Sequence, residues 1–348
     1  MKRALALLGL LGVIACGVEA GAPESPAPAP TSRPAPPPND SQSGSGSGTT
    51  TPPPPPAPLG APYPVLLLHG MAGFGKLEVG PIGVTYFDGV VDDLTKRGES
   101  VYVTLAPPYD SSEARAKAIA TQIDDILKKT GKAKVNLVGH SQGGMDARLI
   151  ASPAGLGYGD RIASVTTIAT PHKGSRIVDT VLRLIQELPP SMVDDLTGNF
   201  LSFLQKTAYE LDTDPHLRSQ LTELSEKYMT TVFNPKYVDD ARVKYTSYAG
   251  RTNMRDGKGI CDGGAFPNDP TKVDRAQAML APMALFLEGG KGTVNDGLVT
   301  VESSKWGTFQ QCVPADHLKE VGVLAPASTF DHVQFFRDVV ARIRNAGD

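Results

Sequence analysis

The chain has 348 residues, of which 40% are apolar and 20% charged, so it can bury a substantial hydrophobic core. Its formal net charge is −3, and without a basic excess a nucleic acid is not expected as a partner. Three cysteines are too few for a disulfide scaffold. Beyond the N-terminus no run of 18 apolar residues predicts a spanning helix, which excludes a protein that crosses the membrane several times.

The N-terminus has the features of an export signal. Lys2 and Arg3 precede an apolar run over 4–15 that is too short to span a bilayer. The run ends in Val-Ile-Ala-Cys16, which resembles the lipobox of bacterial lipoproteins. We therefore expect residues 1–16 to be a lipoprotein signal peptide and Cys16 to be acylated. The acyl chains would anchor the protein to a bacterial membrane, and we expect this to be the outer membrane. The alternative is ordinary cleavage after Ala20 and secretion.

Residues 17–61 have the composition of a tether. Alanine, proline, serine and glycine dominate, with alternating Ser and Gly over 43–48 and a proline run over 52–56. Such a segment cannot bury enough apolar surface to fold. We expect it to be disordered and to hold a folded domain, residues 62–348, away from the membrane.

Strand and helix patterns alternate along the folded part. The buried strands are predicted within 63–70, 101–105, 134–138, 161–169 and 243–249, and the helices over 84–97, 112–130 and 330–344. This alternation predicts an α/β fold in which helices cover both faces of a mostly parallel sheet.

A nucleophile motif follows the strand that ends at Val138. The residues are Gly139-His-Ser141-Gln-Gly143, with a further glycine at 144. A serine between a strand and a helix, flanked by glycines two residues away, is typical of a tight turn that exposes the hydroxyl at the sheet edge. The N–H groups of the following helix favour negative charge there. Ser141 is therefore the candidate nucleophile, whereas a plain turn serine is the alternative.

Acyl transfer also needs hydrogen-bond donors for an oxyanion. The backbone N–H of Gln142 can supply one. The second is expected from the loop after the first strand, at Met71. We interpret His69 in the same loop as a structural residue that braces it.

The catalytic base and its acid are expected after the serine. His317, in a loop, is a better candidate than His332, which falls within the last predicted helix. Three other histidines are expected to be structural or to lie in polar surroundings, with the first pointing away from the nucleophile: His140, His172 and His216. Asp296 at a turn beside an apolar run is the candidate acid, and Asp274 and Asp316 compete with it.

A long segment, 177–242, separates two of the predicted strands and exceeds an ordinary loop. Apolar residues recur at helical spacing over 178–188, 192–208 and 217–231. The segment is expected to be either a helical cap packed as core or a lid that opens at a lipid surface.

Together these motifs resemble the secreted bacterial triacylglycerol lipases. The resemblance extends over residues 63–344 and rests on five segments: 63–70, 135–144, 165–175, 295–299 and 316–318. It implies an α/β-hydrolase fold, ester hydrolysis, a lipid or other ester as substrate and, in many members, a dedicated folding helper. It also implies Ser141 as nucleophile, Asp296 as acid, His317 as base, and Met71 and Gln142 as oxyanion donors.

The sequence departs from that family at its calcium site. The family has an aspartate ligand two residues after the catalytic histidine, where this chain has Lys319. An ammonium repels a calcium ion, which needs several oxygen ligands. We therefore expect no metal and no other cofactor, and we expect Lys319 to pair with Asp274 in place of the ion.

A second departure concerns the family disulfide, because Glu302 stands where the resemblance implies a cysteine. Cys261 and Cys312 are expected to form the bridge instead, since export implies an oxidising compartment. The alternative is two free thiols.

Two other functions stay open at this stage. One is hydrolysis of a different acyl substrate, by an esterase, polyester depolymerase or thioesterase. The other is a surface lipoprotein that kept the hydrolase fold without activity.

Overall fold

The computed structural model describes residues 57–73, 76–79, 82–187, 215–252, 275–323, 325 and 328–348. In chain order its strands are β1 Val65–Leu68, β2 Lys76–Val79, β3 Ile82–Thr85, β4 Val101–Thr104, β5 Val135–His140, β6 Ile162–Ile168, β7 Lys244–Gly250 and β8 Thr308–Val313. Its main helices are α1 Val90–Lys96, α2 Ser112–Thr130, α3 Gln142–Ala151, α4 Arg176–Glu187, α5 Pro215–Glu223, α6 Ala281–Glu288, α7 Val301–Ser304 and α8 His332–Asn345.

Six strands form one sheet in the order β4-β1-β5-β6-β7-β8, and every neighbouring pair is parallel. The short strands β2 and β3 pair separately as an antiparallel hairpin. From β1 the chain moves to one side to form β4 and then returns to the other side to form β5. Ligands of parallel sheets bind in the crevice at such a reversal, beyond the carboxyl ends of the strands. The predicted α/β fold is therefore confirmed, and the reversal lies between β1 and β5.

Helices cover both faces of this sheet, because β1, β5 and β6 are apolar enough to be buried on both sides. On one face α2 and α3 contribute Ile119, Ile123, Met145 and Ile150 to a core cluster. On the other face α1 and α8 pack through Leu94 and a set of α8 residues, Phe335, Phe336, Val339 and Val340. Helices thus pack against both faces of the sheet, and the carboxyl ends of its strands hold the loops that follow them in place.

Helix α2 matches its predicted bounds because its end signals are strong. Ser111 accepts a hydrogen bond from Ala114 N at the start, and Gly131 adopts φ 67° at the end. The helix predicted from Val84 is wrong at its start. Val84 lies in β3, and the helix begins only at Val90, because Phe87 and Gly89 adopt φ 60° and 69°, which interrupt a helix.

The insertion between β6 and β7 is helical where the structure describes it. Helices α4 and α5 lie at its two ends, and the helix predicted over 217–231 is broken at Ser225, which caps a new turn by accepting from Tyr228 N. The helix predicted over 192–208 falls outside the described residues, as do the predicted signal peptide and most of the tether. None of the helices in the described parts is both long and apolar enough to cross a bilayer.

Candidate active site

Ser141 occupies a strained turn between β5 and α3. Its backbone has φ 55° and ψ −128°, a region that residues with a side chain rarely adopt. Glycines allow the turn, because a Cβ on Gly139 would lie 2.5 Å from Gly143 O and one on Gly143 would lie 2.3 Å from Leu68 O. Ser141 N donates to Ile168 O at 2.9 Å, and the Thr170 hydroxyl donates to Ser141 O at 2.8 Å. The turn is thus held from both sides.

The loop after β1 lies against this serine. A Cβ built on Gly70 would lie 2.8 Å from Ser141 Cβ and 3.2 Å from Ser141 Oγ, so only glycine fits there. The next residue, Met71, is the predicted oxyanion donor. Gln142 is the first residue of α3, where a backbone N–H has no partner within the helix. Both predicted donors therefore flank the nucleophile.

Two buried groups hold the loop of residues 69–73 after β1. We call it the oxyanion loop, because it carries the predicted donor Met71. Burial lowers the pKa of His69 to about 4, so its ring is neutral at pH 7. Its Nδ1 lies 2.9 Å from Gly70 O, and its Nε2 accepts from Ala106 N at 3.1 Å. The Arg115 guanidinium donates to His69 O at 2.8 Å and is paired with Asp146 at 2.9 Å, with both side chains fully buried. His69 thus has the structural role that the sequence predicted.

Asp296 and His317 are in direct contact. His317 Nδ1 lies 2.8 Å from Asp296 Oδ2, and the His317 side chain is 5% exposed. The other oxygen of Asp296 accepts from Leu298 N at 2.8 Å and Val299 N at 2.7 Å. His317 N also donates to Asp296 O, which joins the two loops through their backbones. These hydrogen bonds fix the Asp296 carboxyl group in the orientation in which it contacts the imidazole.

The competing acid and bases lie elsewhere. Asp316 accepts hydrogen bonds from Gln277 N, Leu318 N and Lys319 N, so it fastens the loop that carries His317. His332 lies in α8 and contacts Asp88 O. His172 is buried between Thr167 and Arg148, and burial lowers its pKa. Of the candidates in the described residues, Asp296 and His317 are therefore the two that meet.

The insertion contacts the predicted oxyanion donors directly. Gln220 in α5 donates to the side-chain oxygen of Gln142 at 2.7 Å, and both side chains are buried. The Met71 side chain packs against a small apolar cluster made by α4, α5 and the loop before α2, namely Tyr109, Val178, Val181, Leu182 and Leu221. The two described ends of the insertion thus cover the nucleophile side of the site.

Lys319 does not fit a calcium site. Its side chain is nearly buried, and Nζ donates to Arg275 O at 2.8 Å, across to the segment that the resemblance assigns to the ion. An ammonium already held in this loop would repel a divalent cation. The proposed partner Asp274 lies outside the described residues, so its pairing with Lys319 stays a prediction.

One group of side chains in the described residues brings three possible metal ligands together. His140, His317 and Glu320 present atoms within 4.8 Å of one another. A cation there would compete for the ring that Asp296 orients, so this group is better interpreted as part of the site than as a metal centre.

The predicted disulfide is only half described. Cys312 is disulfide-bonded and is buried near the end of β8. Cys261 and the lipidation candidate Cys16 lie outside the described residues. The pairing of Cys261 with Cys312 therefore stays a prediction.

Four residues that support the site were not predicted from the sequence: Tyr86, Arg115, Gln220 and Glu320. Arg115 has a recognisable signal, because it stands four residues before Ile119 within the apolar stripe of α2. His140 was expected to point away from the nucleophile, but its ring centroid lies 4.6 Å from that of His317. Only the pairing of distant loops reveals the rest.

Comparisons with known proteins identify the family of this chain. The family described as the alpha/beta hydrolase fold matches residues 63–252. The triacylglycerol lipase of Vibrio cholerae serotype O1 is 30% identical over 310 residues, which cover 82% of this chain and 88% of that protein. The triacylglycerol lipase of Pseudomonas fragi is 28% identical over 298 residues, which cover 82% and 97%. A solved metagenomic carboxyl esterase has a TM-score of 0.57 at 19% identity, over 82% of this chain and 76% of that one.

The fold and these relatives define a class: the chain belongs to the α/β-hydrolase family and is a carboxylic ester hydrolase. Within that class it belongs to the family of the bacterial triacylglycerol lipases.

Replacing Gly143 with alanine should remove most of the activity. The new Cβ would lie 2.3 Å from Leu68 O, so β1 or the turn must shift. A displacement near 1 Å at a catalytic group costs about 100-fold in rate. The test is kcat/KM on a soluble ester, with circular dichroism to verify folding. Gly60→Ala, where the Cβ meets nothing within 4 Å, is the control. Activity of Gly143→Ala near that of the control would contradict the prediction.

Chelation should leave activity unchanged, because Lys319 stands where the family resemblance implies a carboxylate ligand of calcium. Lys319→Ala, by contrast, removes the bond to Arg275 O and should lower both the midpoint of thermal unfolding and the activity. Lys173→Ala, an exposed lysine beside Glu302, is the matched control. The measurement is ester hydrolysis before and after treatment with EDTA. Activity that disappears with EDTA and returns with calcium would refute the assignment.

Proposed function

We propose that this protein is a triacylglycerol lipase that acts through Ser141, Asp296 and His317. The observation that carries the proposal is the 2.8 Å contact between Asp296 and His317, whose ring centroid lies 4.6 Å from that of His140, the residue before Ser141. The names of the relatives from Vibrio cholerae and Pseudomonas fragi support the substrate class.

In the first half of the reaction His317 takes the proton of Ser141 as the hydroxyl oxygen attacks the ester carbonyl. The negative charge that develops on the carbonyl oxygen is stabilised by the backbone N–H groups of Met71 and Gln142. Asp296 holds the imidazole in one tautomer and stabilises its charged form. His317 then gives the proton to the leaving alcohol, and the acyl group stays on Ser141.

In the second half His317 takes a proton from water, whose oxygen attacks the acyl-enzyme. The same donors hold the oxyanion, and the carboxylic acid leaves as Ser141 regains its proton. This chemistry uses only the chain's own residues.

An apolar acyl chain suits the surroundings of Met71. The cluster that joins Met71 to α4 and α5 offers hydrocarbon contacts next to the proposed oxyanion donor. Since these helices belong to the insertion, we propose that the insertion is the cap or lid over the acyl group. Burial of alkyl carbons contributes about 0.8 kcal/mol for each CH₂.

The N-terminal sequence supports export and anchoring. We propose that Cys16 is lipidated and that residues 17–61 form a tether, so that the enzyme stays attached to the membrane but is held away from its surface. Several acyl chains give stable anchoring, unlike a single one. A dedicated folding helper, implied by the family resemblance, stays a prediction.

The central test replaces Ser141 with alanine. Turnover should fall by about three orders of magnitude or more, since the attacking group is lost. Hydrolysis is measured on triacylglycerol emulsions and on soluble esters of increasing chain length, and a fluorophosphonate probe identifies the labelled residue by mass spectrometry. Ser100→Ala, at an exposed serine, is the control and should be labelled like the wild type.

The outcomes of this test separate the alternatives. Labelling at Ser141 with preference for long chains supports a lipase. Labelling with activity only on short soluble esters or on thioesters would replace the lipase by another acyl hydrolase. No labelling of folded wild type would refute the enzyme and favour a binding lipoprotein.

Anchoring has its own test. Cys16→Ser should move the protein from the membrane fraction to the soluble fraction of a bacterial host, and incorporation of labelled palmitate should cease, because the acylated thiol is gone. The wild type is the reference in both assays. A wild type that is released without palmitate, after cleavage near Ala20, would contradict lipidation.

A further inference from the structure

Three buried polar side chains connect the loops around the nucleophile. Tyr86 Oη accepts from Gly70 N at 3.1 Å and lies 2.7 Å from His140 Nδ1. The other ring nitrogen of His140 lies 3.3 Å from Glu320 Oε2. All three residues are at most 7% exposed. We call Tyr86, His140 and Glu320 the buried relay, which runs from the oxyanion loop, past the residue before Ser141, to the loop of His317.

The end of the relay is a built seat for a carboxyl group. Glu320 lies in the turn three residues after His317 and is fully buried. Gly250, the last residue of β7, provides the space, because a Cβ there would lie 1.6 Å from Glu320 Oε1. Within the described parts of the chain, neither oxygen of Glu320 nor His140 Nε2 makes a hydrogen bond, because the 3.3 Å contact between them does not have hydrogen-bond geometry. The seat therefore brings a buried carboxyl group against the His140 ring as a close polar contact.

Burial disfavours charge on the relay. It raises the pKa of Glu320 well above its usual value, and the nearby Asp296 and Asp316 raise it further. Burial lowers the pKa of His140, as does the positive charge that His317 can carry. Tyr86 Oη accepts from Gly70 N, so its own proton can be donated to His140 Nδ1, while His140 Nε2 lies 3.3 Å from Glu320 Oε2.

We propose that Tyr86, His140 and Glu320 are positioning residues for ester hydrolysis. They hold the peptide that precedes Met71 in register with Ser141 and His317, so that the oxyanion donors and the base meet the same carbonyl. This inference rests on the proposed function. The physical argument is that donors act fully only when they are held in place before the reaction, whereas a buried carboxyl group in itself costs stability relative to an apolar residue.

The consequence concerns rate more than substrate binding. Misplacement by 1 Å costs about 100-fold in rate, so a partial loosening of one loop should cost about tenfold. A charge on Glu320 would act differently, since a carboxylate near His317 would raise the pKa of the base. The pH profile of kcat/KM therefore distinguishes a neutral Glu320 from an ionised one.

The first experiment removes one hydroxyl. Tyr86→Phe keeps the ring and its packing but leaves Gly70 N and His140 Nδ1 without their partner. We expect kcat on a soluble ester to fall about tenfold with KM near the wild type, while the midpoint of thermal unfolding falls but stays above the assay temperature, because two buried polar groups lose their partner. The matched control is Tyr158→Phe, which removes a hydroxyl bonded to Asp124 at the surface.

The second experiment distinguishes two roles of Glu320. One is its polar contact with His140, and the other is a negative charge on its carboxyl group. Glu320→Gln keeps a neutral carbonyl oxygen and should keep kcat within about threefold, with the acidic limb of the pH profile of kcat/KM unmoved. Glu320→Met removes the polar contact with His140, and its kcat should fall as much as that of Tyr86→Phe. Because both act through one chain, the double variant Tyr86→Phe/Glu320→Met should be no more than about twofold worse than either single variant.

Three results would overturn the proposal. One is a kcat of Tyr86→Phe indistinguishable from Tyr158→Phe. Another is full additivity in the double variant. The third is a loss in Glu320→Gln as large as in Glu320→Met together with a shift of the acidic limb to lower pH, which would assign Glu320 an ionised role. A wild type that hydrolyses no ester would refute the proposed function itself and is seen before any variant is made.

Discussion

The backbone of Ser141 is held at φ 55° by its neighbours, and the site depends on that constraint. Such a conformation costs about 1–3 kcal/mol and persists only where the surrounding structure enforces it. Here β1, β5 and β6 are fully buried parallel strands that leave the turn no room to relax. Gly143 lies against the backbone of β1, and Thr170 holds the carbonyl of Ser141. The packed sheet thus keeps the Ser141 turn in a strained conformation that presents the hydroxyl at the sheet edge.

Around this turn the protein limits charge. Burial lowers the pKa values of His69 and His140 and raises the pKa of Glu320, so it disfavours a charge on all three. Arg115 is neutralised by Asp146 while it holds the oxyanion loop. Unpaired charges in such a setting would be costly, and they would also disturb the charges of the reaction. A site with few fixed charges lets Asp296 act mainly on the imidazole of His317.

The described ends of the insertion join this framework at the oxyanion side. Gln220 bonds the side chain of Gln142, Ile177 packs in one apolar cluster with Leu298, and Glu223 accepts from Ser112 N at the start of α2. Burial raises the pKa of Glu223, which matches its enclosed position. The insertion is therefore tied to both the nucleophile helix and the loop of Asp296.

The sequence by itself determined the parallel α/β architecture, the turn at Ser141 and the selection of His317 over His332. These features depend on local signals: apolar strands, helix caps such as Ser111 and Gly131, and glycines that a tight turn requires. For the acid, the residues alone left Asp296, Asp274 and Asp316 open. Only the tertiary structure brought Asp296 within 2.8 Å of His317.

The tertiary structure also decided the contacts of Tyr86, His140 and Glu320, and the correct start of α1. Residues 86, 140 and 320 are far apart in the chain, and no periodicity records which of them will meet. The same holds for Gly250, whose missing side chain makes room for a carboxyl group seventy residues further along. Hydrophobic patterns specify which residues are buried, because burial depends on residue type. Which polar groups become partners inside depends on the packing of distant loops, which the order of residues does not display.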